Sequence, residues 1–328
     1  MTLKFHSSFL KDISSMMSAD DYNVVIKVGE NQDTKEFHAH SNILRAFSRQ
    51  FKYVISSDII KKNIRVIINK PNITPTTFEI ILKYIYTTEL NLENQSNANN
   101  FDLLIACDDL LLEELIEYVQ KYLIKKQEYW VQQNLVFILN CIFNNPNFKE
   151  LQDYCIYSIC DDPILFLTSS DFPSLDKYVL FHLLKQFHLL DKELIIWDSL
   201  IKWGIKQTPE LENKNNDELT DVDYAYLKNT LNMFIPLIKF TNITSEDFYD
   251  RVRPYEAIIP NDIYDNMMKY YLVKQPIKMS ININYHEPIE MSDTNYKFNT
   301  SSIMTLPTRV LPRGPLYGKT LHHQPFHQ

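Results

Sequence analysis

His38 and His40 stand two residues apart in the extended-looking run Glu36-Phe37-His38-Ala39-His40, so their imidazoles would share one face of a strand and could in principle chelate a metal. No third ligand lies near them in sequence, and the pair alone does not make a metal site. Gly314-Pro315-Leu316-Tyr317-Gly318-Lys319-Thr320 has the outline of a phosphate-binding loop. It places three residues between the glycines where four are required, one of them proline, and no strand leads in and no helix leads out. The carboxylate pairs Asp108-Asp109, Glu113-Glu114 and Asp161-Asp162 are adjacent in sequence. On a helix such neighbours point about 100° apart, so they read as solvated faces rather than a converging acid and base. His182 and His188 do not share a helical face, and the His-rich end His322-His323-Gln324-Pro325-Phe326-His327 would bind a transition metal only adventitiously. No Ser, Cys or Lys sits in a nucleophile context such as G-x-S-x-G, so no enzyme activity and no cofactor are expected.

Composition narrows the choice further. The chain has 328 residues, 45% hydrophobic and 23% charged, enough to bury a sizeable core in about two domains. Only four glycines occur, Gly29, Gly204, Gly314 and Gly318, and no two are spaced for a dinucleotide-binding turn. A formal charge of -8 repels phosphate backbones, which excludes nucleic acid as an expected partner. Cys107, Cys141, Cys155 and Cys160 form no C-x-x-C pair and read as thiols of a reducing compartment. Lys4, His6, Lys11 and Asp12 interrupt the first seventeen residues, and no apolar stretch is long enough to span a bilayer, so neither a signal peptide nor a membrane is expected. The expected location is the cytoplasm or the nucleus.

The elements that must position any site follow from periodicity. Phe5, Phe9, Ile13 and Met16 recur at helical spacing, a short amphipathic helix that needs a cover. Val24-Val25-Ile26-Lys27-Val28 and 36–39 read as a hairpin around the polar run from Gly29, and 64–68 as a third strand. Helical spacing marks Ile43 to Phe51 and Phe78 to Ile85. The Asn- and Gln-rich stretch 91–100 reads as a surface loop, and Leu104 to Tyr122 as one long helical stripe. From there to about Leu272 the pattern is helical throughout, with Gly204 expected just beyond the end of the helix that carries Trp197. A third composition begins at Lys274: six of the fifteen prolines fall there, and six Lys/Arg against three Asp/Glu give +3, leaving -11 for the rest. That tail should be extended.

The words inside this outline are specific. Asp21-Tyr22-Asn23-Val24, Phe37-His38-Ala39-His40-Ser41-Asn42-Ile43-Leu44-Arg45-Ala46 with Ser48 and Phe51, FEIILKYIYTTEL at 78–90 and LLIACDDLLLEEL at 103–115 resemble the BTB/POZ signature. LIIWDSLIKWG at 194–204 and LNMFIPLIKF at 231–240 are similar to the BACK region of fungal BTB-BACK proteins, some of which carry a TLDc domain; neither that domain nor a Kelch propeller is read here. The fold class this implies is an α+β BTB/POZ domain, a three-stranded sheet with surrounding helices, then an all-α BACK domain and a Pro-rich tail. The boundaries are 1–19 for an N-terminal dimerisation helix, 20–124 for BTB/POZ, 125–273 for the helical domain and 274–328 for the basic tail. The resemblance also implies a homodimer in which Phe5, Phe9, Ile13 and Met16 pack across the partner, and docking on cullin three of a ubiquitin ligase as a substrate adaptor; an oligomerising scaffold without a ligase is the alternative. Carried over by position, cullin contacts fall on Phe51, Tyr53, Val54, Ile59, Ile60, Leu104, Asp108 and Glu113. In the family the Phe-x-Ala-His turn seats a helix on the sheet. Two departures stand out. Asn23 and Ser41 replace the charged pair of some members, and Ser56 to Lys62 replaces the hydrophobic-x-Glu motif associated with cullin binding.

Overall fold

The computed structural model describes residues 6–56, 65–186, 192–211, 214 and 219–273. Phe5, Ile59, Ile60 and the proline-rich tail therefore lie outside the described residues. Within residues 1–275, which form one compact unit, helix α1 (His6–Met16) precedes strand β1 (Val24–Val28). β1 is central because its run of β-branched side chains is shielded on both faces: Val24, Ile26 and Val28 look inward and Val25 is also buried. It pairs antiparallel with β2 (Lys35–Ala39), Val25 opposite His38, and parallel with β3 (Val66–Lys70), Val25 opposite Ile67. The order is β2-β1-β3. Gly29 closes the hairpin at φ 91°, where an added Cβ would sit 2.6 Å from the Asp33 carbonyl oxygen.

Helices cover the inner face. α2 (Ser41–Phe47) and α3 (Arg49–Val54) follow β2, and α4 (Pro75–Thr87) follows β3. Capping residues explain these starts: Thr74 Oγ1 accepts from Thr77 N with Pro75 at the first helical position, and Ser48 Oγ accepts from Phe51 N. Phe78, Ile81, Leu82 and Ile85 of α4 bury one face with Phe37 and Leu44, each such side chain contributing about 1.5–3 kcal/mol.

The polar stretch 91–100 is not all loop. Ser96 Oγ accepts from Asn99 N, so Asn97 to Asn100 form the first turn of α5 (Asn97–Asp109), and Asn100 is fully buried. The expected stripe from Leu104 to Tyr122 is likewise two helices, α5 and α6 (Glu113–Lys126), split at 110–112 where Leu111 takes φ 51°.

Beyond them an all-helical array continues through α7 (Glu128–Gln133), α8 (Leu135–Ile142), α9 (Lys149–Asp161), α10 (Pro163–Leu167), α11 (Lys177–Gln186), α12 (Glu193–Gln207), α13 (Asp221–Leu231) and α14 (Asn261–Val273). Its core is aromatic: Trp197 and Trp203 of α12 are buried, with Nε1 of Trp197 donating to the Arg251 carbonyl and Nε1 of Trp203 to that of Leu175. α12 does not stop at Gly204. The glycine lies inside the helix because Leu231 and Leu227 of α13 pack against it. Among the described residues no helix is long and apolar enough to cross a membrane.

Candidate protein-interaction surface

The expected surface residues fall into distinct environments. Tyr53 and Val54 end α3, with Tyr53 90% and Val54 41% exposed. Phe51, one turn back, is fully buried, as is Leu104 of α5; both hold the surface up from beneath. Glu113 is exposed at the start of α6 and pairs with Arg49 at 2.8 Å, an ion pair that screening leaves weak. Asp108 is half-buried, and both its oxygens are taken by Asn145 and Asn147 of this same chain. It is not the solvated carboxylate that its sequence context suggests.

Local hydrogen bonds bring these pieces together. Ser48 Oγ accepts from Phe51 N at 3.1 Å and donates to the Leu110 carbonyl at 2.6 Å, tying the start of α3 to the end of α5. Arg49 and Glu113 join α3 to the start of α6. The left-handed turn at Leu111 then turns that side chain outward, 40% exposed, and Phe47 is exposed beside Tyr84, ring centroids 6.3 Å apart. Burial pushes the Tyr84 hydroxyl above its usual range, with Glu114 and Cys107 adding to the rise. Phe47 at the end of α2, Tyr53 and Val54 at the end of α3 and Leu111 in the α5–α6 turn are thus large apolar side chains left exposed. Leu111 and Phe47 escaped sequence reasoning because both sit in apolar helical periodicity that ordinarily points inward.

The first helix has a face of its own. Ile13, Met16 and Met17 are half-buried against the core and α1 packs on α4, while Leu10 stays exposed one turn earlier. Phe9 lies in α1.

The two histidines do not share a face. His38 is exposed and stacked on Tyr22, ring centroids 3.8 Å apart. His40 lies past the end of β2, buried at the start of α2. Its backbone N–H donates to Tyr86 Oη at 2.9 Å, its Nδ1 meets the same oxygen at 2.8 Å, and Nε2 meets Asp21 Oδ1 at 3.0 Å. One assignment satisfies all three contacts: Tyr86 O–H donates to Nδ1 and Nε2–H donates to Asp21. The hydrogen bond from His40 holds the Asp21 carboxyl below the usual carboxylate range. The arrangement fastens β2, α2 and α4 together, with Asp21 at its solvent-exposed end.

Comparison with known proteins gives the class. Residues 13–127 match the BTB/POZ domain, and this part of the chain is a BTB/POZ domain. Kelch-like protein 40a of Danio rerio is 27% identical over 212 residues, 63% of this chain and 32% of that protein. BTB/POZ domain-containing protein 3 of Homo sapiens is 21% identical over 274 residues, 81% of this chain and 48% of that protein. The chain therefore spans between a third and a half of the length of these relatives. The BTB domain of zebrafish PATZ1 matches 38% of this chain and 99% of its own at 23% identity, with a TM-score of 0.31.

Proposed function

We propose that this chain is a non-enzymatic adaptor of the cytoplasm or nucleus, which pairs with a second copy through α1 and offers the α3 and α5–α6 junction to cullin three. The helical array after residue 127, the BACK-like region, then carries a protein substrate not yet identified. The observation that carries the reading is the exposed apolar group Phe47, Tyr53, Val54 and Leu111 on a BTB/POZ domain, held in place by the Ser48 and Arg49 contacts. Large apolar side chains left exposed in this way are what a protein partner would cover. Of the contacts expected by position, Tyr53, Val54 and Glu113 are available, and Ile59 and Ile60 lie outside the described residues.

A second reading, an oligomerising scaffold without a ligase, draws on the fact that Phe51 and Leu104 are buried and Asp108 is occupied within the chain. Titration with the purified N-terminal helices of cullin three separates the two. A saturable signal at micromolar concentrations supports the adaptor, and no signal at tens of micromolar together with clean self-dimers supports the scaffold. Pairing itself is tested with Leu10→Asp, a change at an exposed position that leaves the single chain's core intact. Light scattering should report the mass of one chain; a mass equal to that of the unaltered pair would overturn the role given to α1.

A further inference from the structure

Two carboxylates side by side at the C-terminal end of a helix are unfavourable twice over, since that end already carries partial negative charge and neighbouring anions repel. α5 ends on such a pair, Asp108 and Asp109, and Leu111 follows in a left-handed conformation that costs more again. Each carboxylate has a partner that accounts for it, and the partners lie on different parts of the molecule. Asp109 Oδ2 accepts from Lys70 Nζ at 2.7 Å, at the end of β3, where the lysine side chain is only 11% exposed. Asp108 reaches the turn between α8 and α9: Oδ2 accepts from Asn145 Nδ2 at 2.6 Å and Oδ1 from Asn147 Nδ2 at 2.7 Å.

That turn is fixed from its other sides as well. Asn145 Oδ1 accepts from Asn147 N at 3.0 Å. Gln152 Nε2 donates to the carbonyls of Ile142, Phe143 and Asn145 at 2.6, 3.1 and 2.8 Å. Buried Gln120 of α6 donates to the Asn147 carbonyl at 3.0 Å and accepts from Leu151 N at 3.3 Å. Asp108, taking both asparagine side chains of the turn, is a direct link from the BTB/POZ domain into this network.

We propose that Asp108 and Asp109 are positioning residues, a two-way clasp that holds the sheet of the BTB/POZ domain and the following helical array at one fixed angle. The clasp goes beyond the adaptor reading and does not depend on which partner docks. It withdraws Asp108 from any docking surface and gives it a role inside the chain.

The test uses the full chain with donor and acceptor fluorophores introduced through non-natural amino acids at Tyr53 and Tyr226, both exposed. It is read together with amide hydrogen exchange by mass spectrometry. In Asp108→Ala the distance distribution should broaden and exchange across 143–148 should rise roughly tenfold or more while β1 keeps its protection. Asn145→Ala with Asn147→Ala should do the same from the other side, and decides the matter if Asp108→Ala does not fold. Asp108→Asn, which keeps one acceptor, should fall between. Asp109→Asn should loosen 69–73 and leave 143–148 alone. An unchanged distance distribution in the asparagine double variant, or faster exchange spread evenly through β1 as well, would overturn the clasp.

Discussion

Asn23 and Ser41 grip each other reciprocally: Ser41 N–H donates to Asn23 Oδ1 at 2.9 Å, and Asn23 Nδ2 donates to Ser41 Oγ at 2.9 Å. A neutral pair thus stands at positions where some BTB/POZ proteins carry opposite charges, and it ties the start of β1 to the first residue of α2. Ser41 is 1% exposed, so its N–H, one of the unpaired donors of a helix start, has no water to turn to. Asn23→Ala should cost about 1–3 kcal/mol, the penalty for stranding a buried donor, whereas Asn23→Asp keeps the acceptor and should stay within about 1 kcal/mol. Urea unfolding of both variants measures the difference; equal losses would show that the donor is satisfied by other means.

Gly204 is required by close packing, since an added Cβ would sit 2.8 Å from Leu231 Cδ2 and 3.0 Å from Leu227 Cδ1. Gly204→Ala should destabilise by about 1–3 kcal/mol through overpacking, despite the better helix propensity of alanine. Pairing it with Leu231→Ala makes room for the new methyl group, so the double variant should be more stable than the sum of the two single losses. Strict additivity in the cycle would refute the contact.

The sequence carried the sheet and the helical array well and the boundaries less well. The run Val24 to Val28 is legible because a central strand must be apolar on both faces, and β2 because Phe37 and Ala39 alternate with exposed residues. The third strand was expected at 64–68 and lies at Val66–Lys70, where Asn69 and Lys70 extend the pairing without adding an apolar signal. Leu111 preserves the apolar period from Cys107 to Leu115 although the chain reverses there, so periodicity alone joined two helices into one. Within the candidate surface, position in the family points to Phe51 and Leu104 as contacts, yet their spacing is that of a core face, and both are buried. Asp108 was beyond reach from sequence, because its partners lie 37 and 39 residues away.

Asp223 makes the helical array sensitive to acid. Lys214 holds its carboxyl down to about 2, with help from the backbone and side chain of Thr220, whose N–H donates to Oδ2 at 2.9 Å. In the unfolded chain an aspartate titrates near about 3.9, so the folded form binds this proton less readily. The stabilisation is therefore complete above about pH 4 and is lost as pH falls through about 2. Asp223→Asn should be less stable at pH 6 and should flatten the dependence of unfolding on pH between about 4 and 2. A variant with the same slope there as the unaltered chain would show that other carboxylates govern it.

The four thiols should separate by burial. Cys160 is exposed at the end of α9, whereas burial pushes Cys141 up to about 11, Cys155 up to about 12 and Cys107 further still. With an aromatic disulfide reagent at pH 8, one equivalent should react quickly, and Cys107 and Cys155 should react only in denaturant. Fast release of more than two equivalents from the native protein would mean that α5 or α9 opens far more readily than its packing implies.

Tyr53 separates stability from recognition at the proposed docking surface. At 90% exposure its ring contributes little to the fold, so Tyr53→Ala should leave the unfolding midpoint in urea unchanged to within about 0.5 kcal/mol. Aromatic side chains supply much of the energy where proteins meet, so the same change should weaken cullin three binding by roughly tenfold or more. Phe51→Ala provides the contrast: removing a fully buried ring two residues earlier, on the opposite side of the helix, should cost about 3–5 kcal/mol of stability. A Tyr53→Ala variant that binds as well as the unaltered chain would move the docking surface away from the end of α3, and the exposed Leu111 and Phe47 would be the next residues to alter.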